Sequence, residues 1–87
     1  MAEPNPGFDF MEDVPWSEEL TDYDNTHLIL YVRLLDACAA GASKDEIVRV
    51  LFGIDPVKQP ARAQRTLDSH LKRARWMTER GYRQLLQ

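Results

Sequence analysis

An all-α fold is what these 87 residues predict, and three observations carry the prediction. Apolar residues recur at helical spacing, as in Leu28, Val32, Leu35 and Ala39, and again in Ile47, Val50 and Leu51. Helix ends are marked: Ser43 and Glu46 stand at capping-box spacing, and Gly41 and Gly53 sit where a residue past a helix end takes positive φ. A long basic stretch, Ala61 to Arg80, then runs uninterrupted until Gly81.

The chain opens on an acidic, aromatic-containing segment, residues 1–24. Pro4, Pro6 and Pro15 with Gly7 break any long helix, and acids alternate with Phe8, Phe10, Met11, Val14, Trp16 and Leu20. Such composition predicts a flexible arm, with a short helix from Ser17 to about Asp22 as its one local option. Its aromatics could also dock on a partner or fold back over the basic helix. The first secure helix runs from about Asn25 or Thr26 to Ala40. With Leu28 at zero and ~100° per residue, Leu28, Val32, Leu35 and Ala39 fall within an arc of ~60°. Tyr31, Cys38, Leu34 and Leu30 widen the apolar surface to roughly 200°, about twice what a core face needs. The surplus, chiefly Leu30 and Leu34, is expected to meet something else.

A second helix follows over Ser43–Phe52, then a connection of about eight residues with Pro56 and Pro60 in it, in which Ile54 or Val57 can pin the turn to the core. The third helix, Ala61–Arg80, turns Ala63, Leu67, Leu71, Ala74 and Thr78 to the core. It places Arg62, Arg65, Ser69, Lys72, Arg73, Trp76 and Arg80 on the opposite face. Tyr82, Leu85 and Leu86 can close the chain as a short helical clamp. Residues 25–87 thus read as a helix-turn-helix variant whose turn exceeds the usual three or four residues.

The net charge of −3 conceals a division. Through His27 there are eight acids and neither Lys nor Arg; from Leu28 there are eleven basic residues against six acids, a net of +5. The single cysteine, Cys38, reads as a small core residue, and with His27 and His70 it makes no metal set. No catalytic arrangement, phosphate loop or cofactor motif is present in the sequence, so neither an enzyme nor a cofactor is expected. The lack of a long apolar run or a signal sequence predicts a cytoplasmic protein with no membrane partner. The composition leaves the oligomeric state open.

Two kinds of binding surface remain. A helix-turn-helix sets its second helix in the major groove, and Arg62, Arg65, Ser69, Lys72 and Arg73 are then the candidate DNA-binding residues. The eight-acid arm opposes this, since it competes for the same cations. The alternative is protein binding, with Leu30, Tyr31, Leu34, Trp76 and Tyr82 as anchors; a tryptophan on a polar helix face is either covered or an interface residue.

Several runs resemble one family: Leu35-Asp36-Ala37, Ala40-Gly41-Ala42-Ser43, Glu46-Ile47, Leu51-Phe52-Gly53, Arg73-Ala74-Arg75-Trp76-Met77 and Gly81-Tyr82-Arg83-Gln84-Leu85-Leu86. The family is a set of extended-turn helix-turn-helix domains encoded on proteobacterial mobile elements, and the resemblance covers about Leu28 to Leu86. Some members are transcription activators with a basic DNA-facing side, and others are small acidic antiactivators. In size and acidity this chain is similar to the second, QseM-like group. That resemblance implies an antiactivator that binds and sequesters a protein transcription activator, FseA-like or TraR-like (a quorum-sensing activator). Excision and conjugative transfer of the mobile element would then stay repressed. It implies protein binding rather than a nucleic-acid partner.

Overall fold

A computed structural model describes residues 10–81, and these are all-helical: four α-helices and a closing π-helical turn. Helix α1 spans Asp22–Thr26, α2 Leu28–Ala39, α3 Lys44–Phe52 and α4 Pro60–Trp76, with the π-turn at Met77–Gly81. The three predicted helices are present as α2, α3 and α4, and α1 is an addition. Its start is a complete capping box: Asp24 N–H donates to Thr21 Oγ1 at 3.1 Å, and Thr21 N–H donates to Asp24 Oδ2 at 2.9 Å. His27, outside helical geometry at φ −112° and ψ 21°, breaks α1 from α2, so the predicted start at Asn25 or Thr26 falls within a separate short helix.

Helix α3 forms for the reasons read in the sequence. Ser43 Oγ accepts from Glu46 N–H at 3.1 Å, Asp45 and Glu46 complement the dipole at the N-terminus, and Gly53 closes the helix at φ 65°. After the cap, Ile54 N–H returns to the Val48 carbonyl at 3.1 Å and its side chain is buried, while Val57 is exposed. Ile54 is therefore the pin of the long turn. Asp55 stiffens the remainder, its Oδ1 accepting from Val57 N–H at 2.9 Å and Lys58 N–H at 3.4 Å. Pro60 then starts α4 at a position where its missing N–H costs no hydrogen bond.

The main core joins Leu30 and Leu34 of α2 to Ile47, Val48, Leu51 and Phe52 of α3, Ile54, and Ala63 and Leu67 of α4. Cys38 is half-buried against it. A second cluster holds Tyr31, Ala74, Trp76 and Met77, with Leu20, Leu28 and Leu35 packed on it. This corrects the wheel of the first long helix. Leu30 and Leu34, expected as surplus, are 0% exposed, while Val32, expected inside, is 57% exposed and Ile29 65%. Because α2 is apolar almost all the way round, its pattern could not choose the inward face. Packing against both α3 and α4 chose the Leu30–Tyr31–Leu34 side.

Candidate nucleic-acid interface

The basic stripe of α4 forms one surface, but residues 10–21 lie across it. At the N-terminal end of α4, Glu12 bridges two cations, with Arg65 Nη1 at 2.8 Å from Oε1 and Arg62 Nε at 3.4 Å from Oε2. One turn on, Ser69 Oγ donates to the Glu12 carbonyl at 2.7 Å and lies 3.3 Å from Val14 N–H. Phe10 seats this end, its ring meeting Phe52 edge-on at 5.1 Å with Arg62 above it at 5.9 Å. Farther along α4, Lys72 Nζ stands 4.8 Å over the Trp16 ring, and Trp16 meets Trp76 at 6.1 Å. Of the sequence's five DNA-facing candidates, Arg62, Arg65 and Ser69 therefore have polar partners in residues 10–15, and Lys72 stacks on Trp16.

Arg73 is buried completely. Its guanidinium forks onto Asp24, with Nη2 2.6 Å from Oδ2 and Nε 2.9 Å from Oδ1. Nη1 donates to the Ser17 carbonyl at 2.6 Å, and Nη2 also donates to the Glu19 carbonyl at 2.8 Å. Trp76 roofs it at 3.8 Å from the ring centroid. Tyr31 Oη donates to Asp24 Oδ1 at 2.9 Å, which completes the carboxylate's set. Burial alone would raise the Asp24 pKa, but the Arg73 hydrogen bonds, with help from Thr21 and Tyr31, bring it below the usual carboxylate range. Tyr31 moves up, first from burial and then because its hydroxyl proton is held by Asp24. Every nitrogen of the guanidinium and both carboxylate oxygens thus have hydrogen-bond partners, as a buried ion pair requires.

These positions redistribute the roles read from sequence. Arg73 faces inward as a structural cation, so it is not available to DNA in this conformation. Leu30, Tyr31, Leu34 and Trp76, named as protein-binding anchors, are all buried, because the two core clusters need them. Tyr82 lies outside the described residues, as does the predicted C-terminal clamp. On α4 the exposed cations without an ion pair among the described residues are Lys72 and Arg75. With Trp16, Leu71, Trp76 and Arg80, and the acids Asp68 and Glu79, they line an open groove of about 670 Å³.

His70, on the flank of α4, is fully buried. Its Nδ1 faces the Thr66 carbonyl at 2.7 Å and so carries the proton, leaving Nε2 to accept from Tyr23 Oη at 2.6 Å. Tyr23 Oη in turn accepts from Met11 N–H at 3.0 Å. Burial lowers the His70 pKa to about 4. The ring is a neutral strut between α4, α1 and the arm, with no catalytic partner beside it. No group of three or more metal-ligating side chains occurs among the described residues, and no described helix is long and apolar enough to cross a membrane.

Among curated proteins none matches the chain. The family model RovC_DNA-bd, described as "T6SS, Transcription factor, DNA binding domain", matches residues 11–87. The match overturns the expectation that nucleic acid is not a partner: that expectation rested on acidity and on likeness to the antiactivator group, and neither distinguishes this chain from a DNA-binding domain. Over nearly its whole length, the chain belongs to this family of transcription-factor DNA-binding domains.

Proposed function

We propose that the chain is a DNA-binding transcription regulator in which α4 is the reading helix. The observation that carries this reading is the charge of α4. It holds Arg62, Arg65, Lys72, Arg73 and Arg75 against one acid, Asp68, and four of those five cations reach the surface. In the usual docking of a helix-turn-helix, the N-terminal part of the second helix meets base edges while flanking cations hold phosphates. In this chain all four exposed cations are assigned to phosphates, Arg62 and Arg65 with Ser69 beside them at the groove edge, and Lys72 and Arg75 farther along the backbone.

The test is a titration against generic duplex DNA at two salt concentrations. Four phosphate-neutralising cations predict that affinity falls about a hundredfold between 50 and 200 mM salt. Lys72→Glu should weaken binding at least about fivefold and flatten the salt slope by about one. Absence of binding at 50 mM salt by wild type and by Glu12→Gln alike, in protein whose circular dichroism is helical, would end this reading.

A second reading is favoured by one specific feature, the exposed pair Ile29 and Val32 on α2, which share a face one turn apart. In it the domain also captures a protein transcription activator, acting as an antiactivator that represses excision and conjugative transfer of a mobile element. Ile29→Glu with Val32→Glu should then abolish capture of a purified activator and leave the affinity for duplex DNA unchanged. An unchanged capture would exclude α2 as the docking face.

A further inference from the structure

Resting on the reading of α4 as the DNA-contacting helix, we infer that residues 10–15 are an intramolecular competitor for that surface, with the Glu12 carboxylate occupying the place of a DNA phosphate. The contacts are those a backbone phosphate would make. One anionic group accepts from Arg65 Nη1 at 2.8 Å and lies 3.4 Å from Arg62 Nε, and the adjoining carbonyl takes the Ser69 hydroxyl at 2.7 Å. Arginine, arginine and serine are side chains that grip phosphate oxygens. The cations covered in this way lie in the first two turns of α4, the end that enters the groove in a helix-turn-helix. Lys72 and Arg75, farther along, carry no such ion pair among the described residues.

The segment is built to release at one end and not at the other. Residues 17–21 are fixed from below, since the buried Arg73 guanidinium holds the Ser17 and Glu19 carbonyls and Thr21 caps α1. Residues 10–15 are anchored by Phe10 on Phe52 and by the Met11 N–H bond to Tyr23 Oη, but their grip on the α4 cations is exposed. The Glu12 side chain is 39% exposed and its two arginines 40% and 52%, so these ion pairs are in water and screened by salt. Pro15 and Trp16 separate the two regimes. DNA with many phosphates outcompetes one carboxylate, so binding displaces residues 10–15 while residues 17–21 stay docked. The acidic segment thereby sets a threshold: weak or isolated anions do not open the surface, and a continuous phosphate backbone does.

The full chain tests this with three variants and one duplex. Glu12→Gln frees Arg62 and Arg65 and should tighten duplex binding about three- to tenfold, the span expected for two exposed ion pairs. Asp13→Asn removes the same charge from the same segment, but at an exposed residue with no ion pair among the described residues. It should change affinity less than about twofold. Arg65→Glu should weaken binding and remove the gain from Glu12→Gln when the two are combined. Equal effects of Glu12→Gln and Asp13→Asn would overturn the inference in favour of general charge. A wild type that binds and is weakened by Arg65→Glu, yet is unmoved by Glu12→Gln, overturns it too while leaving the reading of α4 intact. If wild type and Glu12→Gln both fail to bind at 50 mM salt, the reading of α4 and this inference fall together.

Discussion

Replacing Arg73 with alanine is the most informative single change in the molecule. The residue lies in the middle of a basic run on the helix proposed to face DNA, yet its side chain is 0% exposed and paired with an equally buried Asp24. Removing it leaves a buried carboxylate with only Tyr31 Oη and Thr21 N–H, and takes the donor from the Ser17 and Glu19 carbonyls. Breaking one side of such a pair costs about 3–5 kcal/mol. The cation–π contact with Trp76 at 3.8 Å adds to the loss, though these contributions overlap and do not sum. We expect about 4 kcal/mol, measured as a shift in the urea midpoint followed by circular dichroism at 222 nm. With a slope of about 1.3 kcal/mol per molar urea, that shift is roughly 3 M. A chain of this size has about 4–13 kcal/mol to lose, so the variant should sit near the edge of folding. The loss should persist in 1 M NaCl, because the pair is shielded from ions. Arg73→Met with Asp24→Leu should recover part of it, since it removes the orphaned charge but still leaves Tyr31 Oη and the Ser17 and Glu19 carbonyls without these partners. The reasoning is refuted if Arg73→Ala costs less than about 1 kcal/mol while duplex affinity drops tenfold. That result would place the guanidinium on DNA.

Three further outcomes follow from the same packing. Leu30→Ala should cost about 2–5 kcal/mol in the same urea experiment, whereas Ile29→Ala one position earlier should stay within about 0.5 kcal/mol. His70 is depressed to about 4 against about 6.5 when unfolded, so its contribution is fully present above pH 6.5 and is lost as pH falls toward 4; the loss reaches about 3 kcal/mol, and His70→Gln should flatten this part of a stability–pH curve. Gly53→Ala, forced to φ 65°, should cost about 1–2 kcal/mol measured by thermal unfolding, and a cost near zero would mean the α3 cap is not left-handed in solution.

How far the sequence reaches depends on whether a feature is local. Helix α3 is legible because Ser43, Glu46 and Gly53 are its ends and lie within eleven residues. Only half of the expected capping box is made there, and the complete one is at Thr21 and Asp24, inside the segment read as a flexible arm. Its signal was present, a threonine with an acid three residues on, but the surrounding acids and prolines argued the other way. The inward face of α2 was not legible, since an apolar ring gives a helical wheel no direction. Arg73 was beyond local reading altogether: nothing in Lys72-Arg73-Ala74-Arg75 separates it from its neighbours, and Asp24 is 49 residues away. Of the face read as basic, Arg73 and Trp76 turn inward, and the arm's aromatics lie back over the helix, one of the two arrangements its composition allowed.

The two halves of that stripe explain how an acidic chain can be a DNA-binding domain. Along α4 a step of one residue rotates a side chain by ~100°, and that step separates Lys72, which points outward over Trp16, from Arg73, which points under residues 17–24. The inward cation consumes Asp24, and the cations at the start of α4 share Glu12. So three of the five cations on the helix are matched by two of the acids that dominate the overall charge. Net charge is then a poor guide to what the surface attracts, because a phosphate meets local fields within about 10 Å at ordinary salt and not the sum over the chain. Exchanging one carboxylate for many phosphates needs only a local rearrangement of residues 10–15, with α1 and the Arg73 clamp left in place. The acidity of the N-terminal segment and the basicity of α4 are therefore two sides of one contact, and DNA affinity depends on how firmly that contact is closed.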